Sequence, residues 1–369
     1  MNRLRFALFA LTALFLFKAT VQCWDSSQRG AENCEVAAKG STTANKPKTR
    51  LVEVVSVKDF GAIGDGNTDD HRAITAAMAA ATDNVFFPPG TYLISTPLKI
   101  SKPIVLTGSG SGSVIKAVDC NSRWPHEGDG APLISIRPSG ASFSNVIVEK
   151  LTLDGSCASR SYGTWEWNAG IEVAAFRSWS PRNVRLRELH IKDVGGDGIT
   201  VRGDPTTTAH SASPDSIHIE DNFIERWHQN RQGVAVIAGR RVRIANNHLV
   251  LGIPSSGTCP ATTSNTTDPS NANFGIDLET NHEDTGDVIT QIQISDNIIH
   301  NCNGGINIAN QNYPHNAVSN VAVHDNTTMA YGGRPLKPLQ VNGPGVTGYV
   351  EHNNRTGDEF RIFQSESKF

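Results

Sequence analysis

Five short segments of this chain can be laid over one another: 217–222, 242–247, 292–297, 320–326 and 349–353, each alternating apolar and polar residues and ending in Asn. The terminal asparagines, Asn222, Asn247, Asn297, Asn326 and Asn353, are separated by 25, 50, 29 and 27 residues, the long interval holding the Ser/Thr/Asn-rich stretch Pro254 to Asn273 as an insertion. A short strand recurring at such a period is the mark of stacked coils, because one unit cannot bury its own apolar face and must lie on its neighbours. The asparagines should then point inward at a turn and bond to each other up and down the stack, since a buried amide must find partners.

A second motif keeps step with the first. Gly170-Ile171-Glu172-Val173, Gly198-Ile199-Thr200-Val201, Gly233-Val234-Ala235-Val236, Gly275-Ile276-Asp277-Leu278 and Gly305-Ile306-Asn307-Ile308 all read Gly-apolar-x-apolar. Side chains alternate across a strand, so the apolar pair faces the core and x faces out. The expected fold is all-β: a single-stranded right-handed parallel β-helix with a short N-terminal capping helix.

Three regions precede or make up that fold. Residues 1–23 read as a signal peptide, with Arg3 and Arg5 before an apolar run from Phe6 to Phe17 that is too short to span a bilayer. Residues 24–50 are a polar, unpatterned lead-in, and 51–369 form the β-helix domain. Secretion is therefore expected, with a periplasmic or cell-surface location as the bacterial variants. Loss of Arg3, Arg5 and Lys18 with the signal takes the formal charge from −3 to −6, which argues against a nucleic-acid partner.

Export also permits disulfides among Cys34, Cys120, Cys157, Cys259 and Cys302, whose pairing the spacing leaves open. No Cys-x-x-Cys spacing suggests a metal. Asn265, Asn326 and Asn354 begin Asn-x-Thr glycosylation sequons, which would matter in a eukaryotic host.

The stretch Val57-Lys58-Asp59-Phe60-Gly61-Ala62-Ile63-Gly64-Asp65-Gly66-Asn67-Thr68-Asp69-Asp70, followed by Pro88-Pro89-Gly90-Thr91-Tyr92, resembles the opening of the pectate-lyase-like superfamily. That group includes rhamnogalacturonases, polygalacturonases, phage tailspikes and mannuronan epimerases. The resemblance implies the β-helix fold over about residues 52 to 360. Within it Asp65, Asp69 and Asp70 are expected to shape turns and cap a helix, with Thr68 or Asp69 as N-cap. The catalytic signatures of polygalacturonases and of mannuronan epimerases are missing, so no family catalytic residue carries over by position.

Candidate chemistry is therefore read from the outward face of the Gly-apolar-x-apolar strands. Asp277 and Glu279 alternate on one strand, about 6.6 Å apart, at the lower edge of the ~6.5–9.5 Å suited to inverting glycoside hydrolysis. They are the expected acid and base, with Asp197 as an assisting carboxylate. Arg202 and Arg231 could fork a sugar carboxylate, Asn307 and Glu172 would line neighbouring subsites, Trp165 and Trp167 would stack on pyranose rings, and His282 is a further polar contact.

The expected activity is a secreted glycoside hydrolase acting on a uronic-acid- or rhamnose-containing polysaccharide, without a cofactor. A lyase, to which Ca2+ could belong, and a noncatalytic carbohydrate-binding or surface-structural β-helix are the alternatives. No membrane span is expected in the mature chain, and the oligomeric state is left open.

Overall fold

The computed structural model describes residues 53–119, 124, 131–157, 168–204, 212–225, 231–250, 274–280, 286–301, 304–310, 316–330, 337–343 and 345–357. The signal segment, the lead-in and the stretch Pro254 to Asn273 lie outside them.

The chain winds as a right-handed parallel β-helix whose strands form three sheets of 11, 10 and 8 strands. From Asn84 to Asn342 each coil adds one strand to each sheet. Pro181–Arg187, His190–Lys192 and Ile199–Arg202, for example, belong to the first, second and third sheet in turn. Every one of these strands pairs in parallel with the coil before and the coil after, as Ile171↔Ile199↔Val234↔Ile276↔Ile306 does in the third sheet.

The Gly-apolar-x-apolar reading explains the core. Ile171, Val173, Ile199, Val201, Val234, Val236, Ile276, Leu278, Ile306 and Ile308 are all buried and stack into two columns. Each such side chain taken from water contributes about 1.5–3 kcal/mol. The preceding glycines are required by close approach: a Cβ on Gly198 would meet the Gly233 carbonyl oxygen at 2.4 Å and Ile224 Cγ2 at 2.5 Å.

At the corner between the first and second sheets the asparagines form the expected ladder. Asn247 Nδ2 donates to Ile219 O at 2.8 Å and to Asn297 Oδ1 at 3.0 Å, while its own Oδ1 accepts from Asn222 Nδ2 at 2.9 Å. Asn297 repeats the pattern toward Asn326. Toward the N-terminus Asn222 Oδ1 accepts from Leu189 N at 3.1 Å.

The last rung differs from the sequence expectation. Asn326 donates to Asn354, not to Asn353. Asn353 occupies the preceding position, where φ is +55°, as do Asp221, Asn246, Asp296 and Asp325 in the earlier coils. Two adjacent asparagines thus have different tasks, one turning the chain in the left-handed region that Asn tolerates and the other bonding inside. The same geometry removes two glycosylation candidates: the side-chain nitrogens of Asn326 and Asn354 are committed to ladder hydrogen bonds. Asn265 lies outside the described residues.

The opening motif builds the N-terminal end. Helix His71–Ala80 buries Ile74, Ala77 and Met78, three and four residues apart on one face. Asp70 precedes it, but its carboxylate accepts instead from Ile63 N at 2.6 Å and Gly64 N at 2.9 Å, which fixes the glycine turn. Asp69 supplies the helix-start contact, accepting from His71 N at 3.1 Å, and Asp65 accepts from Asn67 N and Thr68 N. All three aspartates are structural, as the sequence suggests. Cys157 is disulfide-bonded.

Candidate functional site

The outward column of the third sheet runs Lys99, Ser135, Glu172, Thr200, Ala235, Asp277, Asn307 and Gln340, one residue per coil in strict register. Two residues further along the strands lie Ala174 beside Arg202 and Glu279 beside Ala309. The columns follow from the pleat: the inward Ile and Val residues of each strand dictate which neighbours must face away from the core.

These outward residues are not on an open face, as the sequence reading supposes. Asp277 is 5% exposed, Glu172 4% and Arg202 1%. Burial alters what each can do, because a charge out of water needs a partner or changes its protonation.

Arg202 takes the first course. Its Nε and Nη2 lie 2.8 and 2.7 Å from Glu172 Oε1, and Ser135 Oγ donates to Glu172 Oε2 at 3.0 Å. A second buried carboxylate, Asp204, lies 3.9 Å from Arg137 Nη2 and accepts from Arg177 N at 2.5 Å. The Arg202 fork expected to receive a sugar carboxylate is thus directed at Glu172. Neither residue presents the open subsite contact read from the sequence; together they brace the strands at this end of the column.

Asp277 takes the second course. Burial pushes its carboxyl well above the ordinary carboxylate range; the charges of Glu279 and Asp197 push the same way, opposed by a hydrogen bond from Asn307. That bond runs from Asn307 Nδ2 to Asp277 Oδ1 at 2.8 Å. Only the methyl of Ala235 stands between Asp277 and the Thr200 rung in the column.

Asp197 is held from both sides: Oδ2 accepts from Thr200 Oγ1 at 2.9 Å and Oδ1 from Gln232 N at 2.9 Å. Gln232 in turn accepts from Phe274 N through Oε1 at 2.6 Å, which ties the turn before one strand to the start of the next. Asp197 therefore has the local turn role that its place in Gly195-Gly196-Asp197-Gly198 suggests, and its charge also reaches Asp277.

The structure brings Asp277, Glu279, Asp197 and Asn307 together and joins Glu172 to Arg202 instead, Glu172 three rungs and Arg202 two rungs from the Asp277 strand. Glu279 is partly exposed, so solvent and a ligand can reach it. Arg231 is half-buried in the turn before the strand Val234–Val236. Trp165, Trp167 and His282 lie outside the described residues. Gln232, which holds Asp197 from the next coil, escapes a reading of spacing alone, whereas Thr200 lies only three residues from Asp197 on the same coil.

Chemically the arrangement pairs a carboxyl that favours its proton with a second, more accessible carboxylate on the same strand. Among the described residues no helix is long and apolar enough to cross a membrane.

Comparison with known proteins agrees with this architecture. Mannuronan C5-epimerase AlgE6 of Azotobacter vinelandii is 34% identical over 157 residues, which is 39% of this chain and 17% of the epimerase. The pre-neck appendage protein of Bacillus phage B103 is 28% identical over 295 residues, 74% of this chain and 29% of the phage protein. The chain spans less than a third of the length of either relative.

Two solved structures share the fold. The N-terminal fragment of the bacteriophage phi29 gene product 12 matches with a TM-score of 0.54 at 20% identity, over 82% of this chain and 53% of that one. A tailspike protein mutant of E. coli bacteriophage HK620, in complex with a hexasaccharide, matches with a TM-score of 0.56 at 10% identity, over 82% and 56%. The family model described as rhamnogalacturonase A/epimerase, pectate lyase-like, matches residues 54–247. With that match over more than half its length, the chain belongs to the rhamnogalacturonase A/epimerase, pectate lyase-like family.

Proposed function

We propose that this chain is an exported polysaccharide-active β-helix that hydrolyses a uronic-acid- or rhamnose-containing glycan. The observation that carries the reading is the raised proton affinity of Asp277 beside Glu279 on one outward-facing strand edge. A carboxyl that keeps its proton toward neutral pH can protonate a leaving glycosidic oxygen, and a nearby carboxylate can activate water on the other side of the sugar ring. Asp277 is then the general acid and Glu279 the base. Asn307 and Asp197 position and tune Asp277, and Arg231, half-buried in the turn before Val234–Val236, lies beside the same face. The reaction draws on side chains and water alone.

The test is product analysis on a panel of acidic and neutral polysaccharides. New reducing ends without ultraviolet-absorbing unsaturated sugars support hydrolysis, and kcat/KM should fall about a hundredfold or more in D277N and in E279Q. Unsaturated ends would replace hydrolysis by β-elimination. Unchanged turnover in both variants would remove Asp277 and Glu279 from the chemistry.

A second reading is a noncatalytic carbohydrate-binding or structural module. It is favoured by the match to a phage pre-neck appendage protein over 74% of this chain. Glycan binding without any product across the whole panel would select it.

A further inference from the structure

Near the C-terminal end of the described coils, on the outside of the first sheet, two imidazoles and a carboxylate meet. His324 ends the strand Ala317–His324 and is paired in register with His352, the last residue of Val350–His352. The two rings lie 4.8 Å apart between centroids, tilted by 37°. Asp325 follows with φ of +58°, and its Oδ2 lies 2.8 Å from His324 Nδ1. One nitrogen or oxygen donor from each of the three residues lies within 4.8 Å of the others, and the group is open to solvent.

We infer that His324, Asp325 and His352 form a divalent-metal site that fastens the coil 350–357 to the one before it. Two imidazoles and one carboxylate suit a borderline cation of the zinc type, which takes three protein ligands and leaves a position for water. Calcium, which seeks six or more oxygens, is not matched by this donor set. A tetrahedral ion with bonds near 2.1 Å needs donors about 3.4 Å apart, so the widest separation, up to 4.8 Å, has to close, while His324 Nδ1 and Asp325 Oδ2, 2.8 Å apart, have to open slightly. His352 and Asp325 are exposed and can make that adjustment by rotation.

The surroundings of His324 determine how well it can serve. Arg243 Nη1 donates to Gln293 Oε1 at 3.0 Å, so the amide nitrogen of Gln293 faces His324 Nε2, 3.3 Å away. A guanidinium only donates, which fixes the direction of this chain: Nε2 accepts, and Nδ1 carries the proton given to Asp325. Metal at Nδ1 moves the ring proton to Nε2, and Gln293 must then turn round and leave Arg243. A glutamate at position 293 would accept from both, giving the carboxylate–histidine–metal arrangement that strengthens such sites.

The experiment is titration of the full chain, stripped with a chelator, with Zn2+ followed by calorimetry and with Co2+ followed by visible absorption. One equivalent should bind at micromolar concentration or tighter, and the thermal midpoint should rise with zinc and return with chelator. H352A and D325N should each weaken zinc binding at least tenfold while keeping the metal-free circular dichroism, and Q293E should tighten it about tenfold. Absence of binding to the unaltered chain at about 100 μM, or affinity unchanged in both H352A and D325N, overturns the site. Failure of Q293E to tighten binding overturns His324 Nδ1 as the ligand atom.

Discussion

Asn307 reaches across to the neighbouring strand and donates its amide proton to Asp277 Oδ1 at 2.8 Å, a lowering influence on a carboxyl that burial and two nearby acids all push upward. The bond prefers the ionised form of Asp277, so removing it raises the proton affinity further. In N307A the alkaline limb of the pH profile of kcat/KM should move to higher pH, because the acid stays protonated longer. A limb that stays in place, or moves down, would separate Asn307 from the ionisation that matters.

The same carboxyl links pH to stability. Its proton affinity is raised in the folded state, so between the unfolded and folded pKa values the folded chain binds more protons and stability declines as pH rises. D277N removes this dependence and retains an acceptor for Asn307. It should melt above the unaltered protein at pH 7, with the difference shrinking toward pH 4. Thermal unfolding at both pH values checks the sign.

The Glu172 and Arg202 pair should be worth more when broken than when absent. E172Q leaves a guanidinium that is 1% exposed without its carboxylate, a situation that costs about 3–5 kcal/mol. Replacing both with Met should recover most of that loss. A double-mutant cycle by chemical denaturation measures it, and additive losses would contradict the pairing.

Truncating the middle of the ladder should be costly too. N247A strands the Ile219 carbonyl and donors on Asn222 that Asn247 satisfies, and each buried group left unpaired costs about 1–3 kcal/mol. N354L, at the partly buried end, should cost less, since Leu189 fills the equivalent place in an earlier coil. Equal losses would mean that the amides contribute nothing beyond filling space.

The stacking of coils was legible in the sequence because the pattern that makes it, Gly-apolar-x-apolar, is enforced at every rung by burial of Ile171, Ile199, Val234, Ile276 and Ile306. What was not legible is which outward side chains pair with one another between coils, where no repeated residue marks the contact. Alternation says that Glu172 and Arg202 face outward, and it says nothing of their being buried and joined diagonally, 30 residues apart. The Asn353 and Asn354 doublet had a more specific effect. Ending the last repeat at Asn353 put His352 one place before the ladder, whereas the true rung, Asn354, puts it two places before, where His324 stands relative to Asn326. Correct alignment of the doublet would have revealed the histidine pair.

One feature of the ladder bears on how such a chain changes over generations. The step from Asn222 to Asn247 takes 25 residues and the step from Asn247 to Asn297 takes 50, yet both close with the same amide bonds and the same in-register strands. The alignment of Asp277 with Asn307 is therefore insulated from the number of residues spent at the corners. A corner segment can therefore lengthen or shorten over generations without retuning the acids on the sheet. Change in corner length and selection for stacking act on separate stretches of the same coil.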